Sequence, residues 1–87
     1  MNQELSTTPE IARACQEYIA DFLGRPVESI DPSADFDRLG VDSSLAVALL
    51  AELEERYGVD LPPEALFENP TINGIAEHVE KHTQPHA

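Results

Sequence analysis

Apolar residues recur along this 87-residue chain at helical rather than strand spacing. Ile11, Cys15, Tyr18 and Phe22 follow one another at steps of four, three and four, with Ile19 and Leu23 widening the stripe. That period predicts an amphipathic helix. Thr8, Pro9 and Glu10 supply a hydroxyl cap, a proline at the first helical position and an early acid, and Gly24 ends the pattern. A second helix is expected from Asp42 to Tyr57, with Leu45, Leu49, Leu50 and Leu53 as its apolar face and Gly58 as terminator. The segment "PEALFEN" predicts a short third helix stopping before Pro70. Thr71 then caps a fourth, "INGIAEHVEKH", facing inward through Ile72, Ile75, Ala76 and Val79. Gly74 inside that helix marks a close-packing position, since glycine otherwise weakens it by up to about 1 kcal/mol. No stretch alternates at period two for long enough to make a strand. The expected architecture is all-α, a four-helix bundle occupying residues 8–82 between tails at 1–7 and 83–87.

The long connection from residue 24 to 42 needs separate treatment. A loop of that length without structure is unusual in a small domain. Its apolar anchors Val27, Ile30, Phe36 and Leu39 predict short helical turns at "VESI" and "FDRL" pinned to the core.

Charge narrows the class of partner. The chain has 17 acidic and 5 basic residues, a formal net charge of −12. Nucleic-acid affinity comes largely from Lys and Arg on phosphates, so that class is excluded, as are anionic membrane surfaces. The longest apolar run, "LAVALLA", is too short to span a bilayer, and the start "MNQELSTTPE" lacks the features of a signal peptide. One cysteine, Cys15, cannot form an internal disulfide and falls on the apolar stripe. A cytoplasmic monomer is the expectation.

Candidate chemistry centres on "LGVDSSLAVALL". Asp and Ser at a helix start commonly cap free backbone N–H groups. A hydrolase nucleophile is disfavoured, because "GVDSS" lacks the Gly-x-Ser-x-Gly elbow and His78, His82 and His86 all lie at the far end. A helix N-terminus is also a favourable place for a phosphodiester, through its dipole and unpaired amides.

From Thr8 to His82 the chain resembles the phosphopantetheine-carrying domains, the acyl and peptidyl carrier proteins. The resemblance includes the Leu-Gly-x-Asp-Ser approach to the second helix, the "FENPTI" link and the helix order. It implies a discrete carrier, not itself an enzyme. Its serine would bear 4'-phosphopantetheine transferred from coenzyme A by a phosphopantetheinyl transferase. In the family the modified serine is followed by apolar residues at plus four, six and ten and an aromatic near plus fourteen. Ser43 meets this with Val47, Leu49, Leu53 and Tyr57, whereas Ser44 would put Glu54 in the core. The resemblance therefore implies attachment at Ser43, with Asp42 beside it setting the helix start.

Ser44 then departs from the leucine usual at that position, leaving Val47 and Ala51 as apolar docking contacts. Between Leu39 and Glu80 stand nine acids and one base, Arg56. Of these, Glu52, Glu54 and Glu55 are the expected docking acids for basic patches on a loading enzyme, acyltransferase or ketosynthase. Asp42 before the serine and the acidity favour acyl cargo, and the segment "LPPEALFENPTI" resembles polyketide-pathway carriers, with aminoacyl or peptidyl cargo as the alternative. An unmodified acidic interaction or calcium-binding module is the alternative of another class. Asp31, Ser33, Asp35, Asp37 and Asp42 have calcium-loop spacing, but Phe36 stands where such a loop needs glycine. His78 and His82, four apart, lack a third zinc ligand and read as surface residues, so no metal is expected.

Overall fold

The first helix, α1 (Thr8–Leu23), starts at a reciprocal capping box. The Thr7 hydroxyl accepts from the Glu10 amide at 3.4 Å, and the Glu10 carboxylate accepts from the Thr7 amide at 3.2 Å. The cap is thus one residue earlier than the sequence pattern suggests, and Thr8 is already helical. The computed structural model describes residues 7–82. Of the tails expected at 1–7 and 83–87, residues 1–6 and 83–87 lie outside the described residues, and Thr7 belongs to the cap of α1.

After α1 come α2 (Phe36–Leu39), α3 (Ser43–Tyr57), α4 (Glu64–Glu68) and α5 (Ile72–His82), with a 3-10 turn at Val27–Ser29. The predicted helices all form, and "FDRL" is the extra short helix α2. The core is built where their apolar faces meet: Ile11, Cys15 and Ile19 from α1, Leu49 and Leu53 from α3, and Ile72, Ile75 and Val79 from α5 are at most 1% exposed. Each such aliphatic side chain contributes about 1.5–3 kcal/mol relative to exposure. The start of α1 meets the end of α5, where the Thr8 amide donates to the Glu80 carboxylate at 3.1 Å and the Thr8 hydroxyl donates to the same oxygen.

Phe22, expected on the buried stripe, is 65% exposed. Steps of four residues advance about 40° around a helix of 3.6 residues per turn. The line Ile11, Cys15, Ile19 drifts on to half-buried Leu23; Phe22 keeps the azimuth of Ile11 and Cys15 but is left uncovered at the last turn of α1. Tyr18 and Tyr57 pack partly buried against the core. Cys15 is fully buried, which pushes its thiol up to about 12 against a small opposing pull from Arg56. It is a core residue.

The connection between α1 and α3 is held on both sides. The Gln16 amide donates to the Ile30 carbonyl at 2.8 Å, and the Arg25 guanidinium donates to the Leu39 carbonyl at 3.1 Å. Opposite, the Phe36 amide donates to Pro70 O at 2.9 Å and the Asn73 amide to Pro32 O at 2.9 Å. The Asn73 side chain adds a bond to the Ser33 hydroxyl at 3.1 Å. These bonds form a short antiparallel seam around the bridge Asp35–Thr71. Gly74 sits beside it, as the sequence implied: a Cβ there would lie 2.9 Å from Asn69 Cβ.

Candidate functional site

The residues before α3 decide the site's geometry. Gly40 takes a left-handed conformation (φ 85°) that ends α2 and turns the chain so that Val41 is buried. The Val41 amide returns to Phe36 O at 2.9 Å. Asp42 then accepts the Leu45 amide at 2.9 Å through its side chain and is the N-cap of α3. Capping therefore falls to the carboxylate. Ser43 and Ser44 occupy the first two helical positions, both exposed, and no hydrogen bond engages either hydroxyl among the described residues.

Ser43 differs from Ser44 in what surrounds it. It lies on a cleft of about 400 Å³ bounded by α2 on one side and α4 on the other, with the start of α3 as its floor. Asp35, Phe36 and Asp37 line the α2 side; Leu66 and Phe67 line the α4 side; Val47 lies one turn beyond Ser43. Ser44 does not line this cleft. The acids Asp35, Asp37 and Asp42 give it a negative rim, while the free amides of α3's first turn put partial positive charge at Ser43 itself.

The sequence-predicted docking residues separate into groups. Ser44, Ala51 and Glu55 are exposed, and Val47 is 47% exposed, so all four are presented to solvent. Glu52 is half-buried and lies 3.9 Å from Arg56. Glu54 is not a free surface acid. It is half-buried and accepts the Leu61 amide at 2.8 Å, bracing the loop after α3. The cause is register: Leu53 is turned fully inward, which places Glu54 against the returning chain.

Sequence reasoning missed Phe67, which is 85% exposed at the cleft's edge. The signal was present in "ALFEN". Two adjacent large apolar residues stand about 100° apart on a helix, so a five-residue helix with one neighbour can leave one of them outside, but the pattern alone does not say which one turns out.

Some residues of the rival metal readings have other partners. Asp31 accepts the Ser33 amide at 2.9 Å in a turn, and Ser33 is bonded by Asn73. His78 and His82 stack with ring centroids 4.2 Å apart, and His82 Nδ1 lies 2.8 Å from the His78 carbonyl. Partial burial, then the neighbouring His82, hold the His78 imidazole below its ordinary range. Among the described residues no three His, Cys, Asp or Glu side chains come together as metal ligands. No described helix is long and apolar enough to cross a membrane.

Comparison with known proteins agrees with this geometry. Residues 13–79 match the family model described as phosphopantetheine attachment site. The chain is 49% identical over 61 residues to the phenolphthiocerol synthesis polyketide synthase type I Pks15/1 of Mycobacterium marinum, which covers 69% of this chain and 3% of that protein. It thus spans only a few per cent of the length of the curated relatives it matches. A free-standing peptidyl carrier protein from an uncharacterized Acinetobacter baumannii secondary metabolic pathway superposes with a TM-score of 0.83 at 28% identity, covering 91% of this chain and 99% of the other. BlmI, a type-II acyl-carrier protein from Streptomyces verticillus involved in bleomycin biosynthesis, gives 0.72 at 28% identity, covering 85% and 87%. The all-α bundle, the serine at its cleft and these matches together place the chain in the phosphopantetheine attachment site family, the carrier domains that bear a covalent phosphopantetheine arm.

Proposed function

We propose that the protein is a discrete acyl carrier whose arm is attached to Ser43. The observation that carries this is the division of labour at the start of α3: Asp42 caps the helix, while the Ser43 hydroxyl is exposed, unengaged and on the cleft. The residues present fit a phosphodiester there, since the first-turn amides face an anion at that position. Bound at Ser43, the group supplies a terminal thiol on which acyl groups are held as thioesters.

What the chain itself does is positional. The cap holds the α3 amides in place, the core behind Leu49 and Leu53 keeps the helix fixed, and the apolar edge of Val47 and Phe67 meets a partner's surface. The acids Asp35, Asp37 and Asp42 beside it favour enzymes with basic entrances. In this reading the protein is a substrate of a phosphopantetheinyl transferase and of loading enzymes, acyltransferases or ketosynthases, and catalyses nothing itself. A monomer in the cytoplasm is the proposed setting.

Acyl cargo of polyketide type is favoured by the polyketide synthase relatives. Aminoacyl or peptidyl cargo is the second reading, supported by the likeness to a peptidyl carrier.

Incubation with coenzyme A and a broad-specificity phosphopantetheinyl transferase, followed by intact mass, tests the assignment. One phosphopantetheine should be gained by the wild type and by Ser44→Ala, and none by Ser43→Ala. An unchanged wild-type mass would sink the carrier reading; gain by Ser43→Ala would move the site. Loading of the modified protein from an acyl-coenzyme A against an aminoacyl-adenylate-forming enzyme separates the two cargo classes.

A further inference from the structure

The segment from Val59 to Asn69, which includes α4, is bonded to the rest of the protein in an unusual way. Pro62 and Pro63 have no amide hydrogen, so only Val59, Asp60 and Leu61 can donate between Gly58 and α4. Of these, Leu61 alone reaches a distant partner among the described residues, and that partner is the Glu54 carboxylate at 2.8 Å. Leu61 is itself 3% exposed, so an unmet amide there would sit in an apolar setting. The helix that follows has no side-chain cap at its start. Its backbone bonds close on Pro62, Pro63 and Ala65, all within the segment. Its packing rests on buried Ala65 and half-buried Leu66, with Phe67 turned outward.

The neighbouring acids behave differently. Glu52 faces Arg56 and Glu55 faces solvent, whereas Glu54 turns back to the loop. Gly58, at a φ of 68°, ends α3 beneath it, and the buried Val59 and Leu61 that follow leave the chain from Pro62 onward as the part the carboxylate bond steadies.

We propose that Glu54 is a positioning residue, a latch whose carboxylate holds the α3–α4 loop through the Leu61 amide and thereby fixes the α4 wall of the Ser43 cleft. With the latch closed, Leu66 and Phe67 stand at a set distance from Ser43, and a partner enzyme meets a preformed surface. With it open, the chain beyond the buried Val59 and Leu61, from Pro62 through α4, is freed and that surface becomes one of several. The role depends on Glu54 as a hydrogen-bond acceptor rather than as a docking charge, and the two are separable by substitution. The functional half of this inference rests on the carrier reading; the structural half does not.

Glu54→Ala and Glu54→Gln are compared by amide hydrogen exchange of the unmodified protein and by loading kinetics with coenzyme A and the broad-specificity transferase. In Glu54→Ala, exchange from Leu61 to Asn69 should rise by roughly tenfold or more, the effect of losing one charge-assisted hydrogen bond, while α1 and α5 stay protected. The KM for the carrier should rise with kcat nearly unchanged. Glu54→Gln keeps a carbonyl acceptor, so it should restore both readouts toward wild type. Three results overturn the latch: loading impaired equally in both variants with exchange unaltered, which is a docking charge; exchange raised alike in α1 and α5, which is a general loss of stability; or no change in Glu54→Ala. If no serine is loaded in the wild type, the carrier reading fails on its own, and the exchange pattern alone decides the latch.

Discussion

The two walls of the Ser43 cleft are made differently. The α2 wall belongs to a connection tied to α1 by Gln16, closed on itself by Arg25 on the Leu39 carbonyl, and tied to the segment that starts α5 through Phe36, Pro32, Ser33 and Asn73. The α4 wall is tied across the chain by one carboxylate on one amide. Each presents a phenylalanine to the cleft, but Phe36 is 7% exposed and Phe67 85%. A long loop can thus be a rigid part of a site, and a helix its adaptable part. Secondary-structure labels do not rank stiffness; the number and placement of cross-chain bonds do.

The largest expected effect breaks this pairing directly. Phe36→Ala should cost about 3–5 kcal/mol in denaturant unfolding, the usual range for a buried aromatic. Phe67→Ala should fall within about 0.5 kcal/mol of wild type, as for other exposed positions. Equal losses from both would mean that α4 is as firmly built in as α2.

The core behind both walls can be addressed through Cys15. Its thiol stays protonated in the folded protein up to about 12, against an ordinary value of 9.0. Above pH 9 the unfolded chain loses this proton first, so its contribution, fully present below pH 9, is lost as pH rises toward 12. Comparing unfolding of wild type and Cys15→Ala across that window should reveal an extra loss of about a few kcal/mol in the wild type, beyond the pH dependence the two proteins share. The walls should melt together, since α1 supports the core beneath both. An identical pH dependence in the two proteins would remove the thiol from the account.

A smaller effect sharpens the comparison at the hinge between the walls. Gly74→Ala places a methyl 2.9 Å from Asn69 Cβ and 3.2 Å from Thr71 Oγ1, where the end of α4's segment meets the pinned seam. Overpacking costs about 1–3 kcal/mol, and the better helix propensity of alanine returns up to about 1 kcal/mol. A net loss of about 1–2 kcal/mol in thermal or denaturant unfolding is expected. A stabilised variant would show that Asn69 yields freely.

Much of this protein was legible in its sequence, for local reasons. Helix starts and ends are set by caps, glycines and prolines a few residues away, so α3, α4 and α5 lie close to where the pattern puts them. The turns at "VESI" and "FDRL" follow from apolar anchors that need a core. The Leu-Gly-x-Asp-Ser stretch and the apolar spacing after Ser43, at Val47, Leu49, Leu53 and Tyr57, singled out that serine through the family resemblance.

What tertiary structure decided concerns which side of a residue meets another part of the chain. Glu54 reads as a surface acid until Leu61, seven residues on, returns to it. Phe22 reads as core until Leu23 proves to be the residue packed against it, and only the fold shows that Leu66 turns inward and Phe67 outward. The seam between residues 32–36 and 70–73 joins segments almost forty positions apart, with no periodicity to announce it. Local chemistry specifies where a helix begins and which stripe is apolar; the packing of one element on another settles which edge of that stripe is sealed and which acid is spent on backbone.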